Sequence, residues 1–112
     1  MKPSTQNPPT LLVVDDNIDV LTATSGILRA AGYRVLEAGS CAECLKTLRE
    51  ESPDVVLLDV VLPDGSGVDL SREIKSTRAT EKSFIVLLSS REISTDRQVT
   101  GLEAGADGYI AR

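Results

Sequence analysis

Three stretches of this chain are apolar at every interior position: Thr10–Asp15 (TLLVVD), Asp54–Asp59 (DVVLLD) and Ser83–Ser89 (SFIVLLS). A strand with one wet face alternates apolar and polar residues. Continuous short runs instead mark strands buried on both faces, as in a parallel sheet covered by helices. The segments between the runs carry the helical period. Asn17–Ala31 places Ile18, Leu21, Leu28 and Ala31 at helical spacing, and Gly32 stops it. Ser40 caps a helix reaching about Glu51, with Cys44, Leu45 and Leu48 inward, before Pro53 breaks the chain. Val68–Ser76 carries Leu70 and Ile74 four apart, and Ile93–Ala104 bears Val99 and Leu102 and is closed by Gly105. Tyr33–Ala38 and Asp107–Ala111 supply two further strands, and Pro63–Gly67 (PDGSG) is a loop. Strand and helix alternate throughout, so right-handed crossovers predict an α/β fold with a doubly wound five-stranded parallel sheet and helices on both faces.

Length and charge narrow the class. A chain of 112 residues accommodates one domain with a real core. Aromatic residues are only 3%, so that core must be aliphatic. The net charge of −5, without a broad basic patch, argues against nucleic-acid binding by this segment. No apolar run approaches membrane-spanning length, and residues 1–9, with Pro3, Pro8 and Pro9, are expected to form a flexible lead without a secretory signal. Cys41 and Cys44 form a CxxC inside a helical segment; they are expected to fill space rather than to carry redox or zinc chemistry, since one pair is at most half a zinc site. These features point to a reducing cytoplasm. A sheet ending at its fifth strand needs a further helix over one flank. The domain at 10–112 is therefore expected to be C-terminally truncated, its final helix absent from this chain.

In a doubly wound sheet, chemistry collects at the carboxyl ends of the strands. Those ends hold Asp15 and Asp16, Asp59, Ser89 and Ser90, and Arg112. Carboxylates a few ångströms apart raise one another's pKa or recruit a counterion. Oxygen-only ligands, few in number beside a phosphate site, suit Mg²⁺. Asp59 is then left as a nucleophile able to form an aspartyl phosphate. Ser89 is placed to donate a hydrogen bond to a phosphoryl oxygen, and Arg112 to pair with it.

The segments LLVVDD, DVVLLDVVLPDGSG, FIVLLSS and GADGYIAR, in this order from Leu11 onward, resemble the receiver domain of bacterial two-component response regulators (the CheY-like family). The resemblance implies a flavodoxin-like strand order 2-1-3-4-5. It implies a phosphorylation-dependent switch rather than an enzyme with turnover. Asp59 would accept a phosphoryl group, with Mg²⁺, from a histidine kinase or phosphotransfer protein. Asp16 would be the more direct metal ligand of the acidic pair, and the backbone carbonyl of Val61 would complete the protein's share of the shell. Ser89 would be the switch hydroxyl and Tyr109 the aromatic whose rotamer follows phosphorylation. The face formed by the fourth strand, the next helix and the fifth strand would then control a downstream output domain or protein. Apart from the resemblance, the face bearing Val99 and Leu102 fits pairing with a second copy of the chain and fits core equally well. Arg112 stands where the family usually has lysine, a bulkier and planar cation in place of a point charge.

Blander readings stand beside these. Asp15 and Asp16 could cap a helix N-terminus, which explains one carboxylate better than two. Ser90 could simply start a turn, and Arg91, near the site mouth, could be a solvated charge. Gly65 and Gly67 serve loop geometry, because their spacing matches no phosphate-binding loop. A degenerate receiver that docks partners without phosphorylation is the alternative from the interaction class. A phosphatase or phosphomutase using an aspartyl phosphate is less favoured, since Val61 stands where such enzymes keep a general acid.

Overall fold

The computed structural model describes residues 8–89 and 102–111. Each continuous apolar run forms a strand of one sheet. In chain order the elements are β1 (Thr10–Val14), α1 (Ile18–Ala30), β2 (Arg34–Ala38), α2 (Cys41–Glu51), β3 (Val55–Asp59), two-residue strands β4 (Val61–Leu62) and β5 (Gly65–Ser66), α3 (Gly67–Ser76), β6 (Phe84–Ser89) and β7 (Gly108–Ala111). The main sheet has the order β2-β1-β3-β6-β7, and every pairing in it is parallel. With β4 and β5 set aside as a separate ribbon, this is the doubly wound five-stranded order expected from the sequence.

The period of two along each strand sends neighbouring side chains to opposite faces. Leu12 and Val14 of β1, Val56 and Leu58 of β3 and Ile85 and Leu87 of β6 pack against Cys44 and Leu48 of α2 and Leu70 and Ile74 of α3. Val13 of β1 points the other way, into a smaller cluster with Leu21 of α1 and Val35, flanked by Leu28 and Leu57. The core is aliphatic, and full burial of each such side chain contributes roughly 1.5–3 kcal/mol. Helix starts follow the sequence signals: Asn17, Ser40 and Ser66 are N-caps whose side chains accept hydrogen bonds from the first turns of α1, α2 and α3.

Local reading and structure part at several points. Ile18 is 68% exposed and Ala31 is also exposed, although both fit the expected apolar stripe of α1. The buried stripe runs through Leu21, Ser25 and Leu28; Ile18 is the first helical residue, at the rim where the chain leaves the sheet. Ser25 is fully buried, and its hydroxyl has no hydrogen-bond partner among the described residues. The segment expected as a plain loop at Pro63–Gly67 is instead an antiparallel ribbon, pairing Val61 with Ser66 and Leu62 with Gly65 around a turn at Pro63 and Asp64. Most of the helix expected at Ile93–Ala104, including Val99, lies outside the described residues. Of its end, Leu102 and Glu103 are helical and Leu102 is half-exposed.

At the end of the sheet opposite the carboxyl rim, one ion pair joins three elements. Lys75 near the end of α3 sits 2.9 Å from Asp107, just before β7. Its ammonium also donates to the carbonyl of Ser83, ahead of β6, at 2.7 Å. The Asp107 carboxylate accepts the N–H of Ile85 at 2.8 Å, and the Asp107 N–H donates to the Ile85 carbonyl at 2.8 Å. Gly105, at φ +112°, lets the chain pass so close that a Cβ there would lie 3.0 Å from Lys75 Cγ. Partial desolvation pushes the Asp107 carboxyl up, but the Ile85 N–H and the Lys75 ammonium outweigh it and hold the group below its ordinary value of 3.8. A depressed carboxyl stabilises the fold above the ordinary value, and that contribution is lost as pH falls through the lowered one. Asp107→Asn should therefore destabilise the chain at neutral pH by on the order of 1 kcal/mol. The deficit should shrink as pH drops below the ordinary value, as checked by urea unfolding at pH 7 and at acid pH.

Candidate functional site: a carboxylate cluster at the strand ends

The parallel register decides what meets at the carboxyl rim. Val14, the last residue of β1, pairs with Leu58, so Asp15 and Asp59 follow side by side. Asp59 pairs in turn with Leu88, and Ser89 stands one residue farther along β6. Asp15, Asp16 and Asp59, separated by 43 positions in the chain between Asp16 and Asp59, each present a carboxylate oxygen within 4.8 Å of the other two. Asp15 is 2% exposed, Asp59 is half-buried, and Asp16 is open to solvent.

Local bonding fixes these side chains. Asp15 donates its N–H to the Ala38 carbonyl at 3.1 Å, and its Oδ1 accepts the Asn17 N–H at 2.9 Å. Capping of α1 falls to Asn17, whose Oδ1 accepts from Asp19 at 3.0 Å and Val20 at 3.2 Å. The capping explanation for the paired aspartates thus gives way: a neighbour already does that work, and Asp16 projects into the cluster. Asp59 Oδ1 accepts the Val61 N–H at 3.2 Å.

The backbone after Asp59 turns sharply. The Gly67 N–H donates to the Val60 carbonyl at 2.7 Å, and a Cβ at Gly67 would lie 2.3 Å from the Asp59 carbonyl oxygen. Glycine is needed here for close approach, which fulfils the geometric role expected of it. The Val60 N–H is engaged on the other side, donating to the Leu88 carbonyl at 3.0 Å, so Val60 joins the ribbon to β6. Val61 follows opposite Ser66 in the ribbon, with its N–H on Asp59. Oxygen donors alone, clustered in this way, fit a hard divalent cation such as Mg²⁺ and not a soft one.

The remaining expected residues are distributed as follows. Ser89 is 5% exposed at the end of β6. Tyr109 lies opposite Leu87 in β7, packs against the larger core cluster, and has a buried hydroxyl without a hydrogen-bond partner among the described residues. Ser90, Arg91 and Arg112 lie outside the described residues. Val61's side chain is 73% exposed, so only its backbone is engaged.

Sequence reasoning passed over Asp64. Its carboxylate reaches from the tip of the β4–β5 ribbon to the start of α2, accepting the N–H of Cys41 at 2.7 Å and of Ala42 at 3.1 Å. These backbone donors, Cys41 first and then Ala42, hold the Asp64 carboxyl below the ordinary range. The Pro-Asp-Gly triplet announced a turn, but nothing local revealed a partner 23 residues away. Both cysteines lie in α2, as expected: Cys41 is its first residue after the Ser40 cap, and Cys44 is buried in the larger core cluster. Their environment favours the protonated thiol: burial, then the adjoining Asp64, pushes Cys41 up to about 11, and burial pushes Cys44 up to about 12.

An open doubly wound sheet gathers its site residues at the carboxyl rim, as the acidic cluster here does, and the comparisons give the family. Residues 11–112 match the family described as the response regulator receiver domain, and the chain belongs to that family. It is 40% identical over 104 residues to the transcriptional regulatory protein AfsQ1 of Streptomyces coelicolor, covering 93% of this chain and 44% of that protein. It therefore spans less than half the length of this curated relative. A putative response regulator from Chloroflexus aurantiacus superposes with a TM-score of 0.87 at 34% identity, over 95% of this chain and 86% of that one. The BeF3-activated receiver domain of RstA from Klebsiella pneumoniae does so with a TM-score of 0.83 at 29% identity, over 91% and 84%.

Gly67→Ala should drive the added methyl into the Asp59 carbonyl. The expected cost is about 1–3 kcal/mol of stability, read by denaturant unfolding. Amide NMR shifts should concentrate at residues 59–61 rather than spread over the sheet.

Proposed function

We propose that this chain is a phosphorylation-dependent signalling switch of a two-component system, with Asp59 as the phospho-acceptor. The observation that carries this reading is the convergence of Asp15, Asp16 and Asp59 to within 4.8 Å, in a chain that belongs to the receiver family. A carboxylate oxygen of Asp59 attacks the phosphorus of a phosphohistidine on a histidine kinase or phosphotransfer protein. The P–N bond breaks, its electrons remain on the imidazole, and an acyl phosphate forms on Asp59. Mg²⁺, held by Asp15, Asp16, Asp59 and the Val61 carbonyl, would neutralise negative charge on the transferring group. Ser89 donates a hydrogen bond to a phosphoryl oxygen, and Arg112 supplies the pairing cation. The new charge draws Ser89 toward the site and Tyr109 moves with it. The population then shifts toward a form of the β6–β7 face that binds an output element. The name of AfsQ1 as a transcriptional regulatory protein supports a regulatory output joined to this segment. The domain is proposed to act in the cytoplasm and to have no turnover of its own beyond assisting its phosphorylation and dephosphorylation. Among the described residues, no helix is long and apolar enough to cross a membrane.

Incubation with acetyl phosphate and Mg²⁺ should add one phosphoryl group, seen by intact mass, and Asp59→Asn should abolish the gain. No gain in the wild type would overturn this reading in favour of a receiver that docks partners without phosphorylation.

A further inference from the structure

Asp64 is absent from the carboxylate cluster yet bonded at the far end of the segment that carries it. The chain from Asp59 to Gly67 is a closed unit. Its base is fixed by the Gly67–Val60 hydrogen bond at 2.7 Å and the close approach of Gly67 to the Asp59 carbonyl. Its two short strands hold one register, Val61 to Ser66 and Leu62 to Gly65. Its tip is tied to a different element by the two hydrogen bonds from the Cys41 and Ala42 N–H groups to the Asp64 oxygens. A two-stranded ribbon of this length is marginal by itself in water. The tie to the N-terminus of α2, where two backbone donors and the helix dipole favour a carboxylate, supplies the missing constraint.

We propose that Asp64 is a positioning residue for the metal site: by holding the ribbon tip to α2, it fixes the direction of the Val61 carbonyl beside Asp59. The inference rests on the Mg²⁺-dependent reading above and deepens it. The lever is short. Val61 is three residues from Asp64, and its N–H already bonds to Asp59 Oδ1. Release of the tip lets the Val61 peptide rotate. The cluster then loses one aligned oxygen while its three carboxylates remain.

The test must separate this role from simple capping of α2. Ser40 caps the same helix, its Oγ accepting the Glu43 N–H at 3.2 Å, a bond within α2 and not to the ribbon. Ser40→Ala is therefore a matched control. Mg²⁺ alone is titrated into the wild type, Asp64→Ala, Asp64→Asn and Ser40→Ala, followed by amide NMR shifts well below each variant's unfolding temperature. Asp64→Ala should weaken Mg²⁺ binding about tenfold or more, the usual scale for a group that orients a ligand. Asp64→Asn keeps one acceptor and should recover part of the loss. Ser40→Ala should lower thermal stability and leave the Mg²⁺ affinity unchanged. Equal affinity for Asp64→Ala and Ser40→Ala would overturn the positioning role while leaving the proposed function intact. Absence of Mg²⁺ binding by the wild type would overturn both.

Discussion

The parallel pairing of β1 with β3 is the constraint on which the rest of the molecule depends. Val14 opposite Leu58 makes both strands end at the same level. Two carboxylates and then a third are therefore delivered to one rim, although nothing in their side chains favours meeting. The favourable free energy comes from elsewhere. Leu12, Val14, Val56 and Leu58 are fully buried, and the register that packs them leaves Asp15, Asp16 and Asp59 no other arrangement. A one-residue slip would turn the buried side of β3 toward α1 and move Asp59 away from the rim. Core packing thus holds a like-charge cluster in place.

The molecule is asymmetric from end to end. At the amino ends of the strands, charge is compensated within the protein: Lys75 lies 2.9 Å from Asp107 and bonds two backbone carbonyls besides. At the carboxyl ends, three carboxylates stand together. The first arrangement closes the sheet mechanically, joining α3 to the starts of β6 and β7. The second concentrates negative charge at one rim of the sheet. Other ion pairs, such as Arg34 with Glu51, are half-exposed and contribute little by comparison.

Between these ends, the nine-residue unit from Asp59 to Gly67 shows how a strand end becomes a site. Its base is closed by a glycine that no other residue can replace without overlap, and its tip by a carboxylate on a helix N-terminus. Val61 is exposed, but Leu62 is buried in the larger core cluster and Val60 packs against it. Hydrogen bonds and close approach set the geometry of the unit together with this packing.

Much of this was legible in the chain itself. The continuous apolar runs identified β1, β3 and β6 as doubly covered strands, and the intervening periods identified α1, α2 and α3. Once the sheet is parallel, strand-end residues must share a rim, so Asp15, Asp16, Asp59 and Ser89 could be named beforehand. These inferences succeed because they use periodicity, which is local. What the tertiary structure alone decided involves the relative placement of elements. The exposure of Ile18 and burial of Ser25 depend on how α1 lies on the sheet. The raised pKa of the Cys41 thiol depends on its burial and then on Asp64 arriving from another segment. The Asp64 and Lys75–Asp107 ties join residues 22 to 32 positions apart, distances over which no repeat in the sequence reports which atoms meet. Hydrogen bonds need ångström-level approach, and that is fixed only when the whole core has packed.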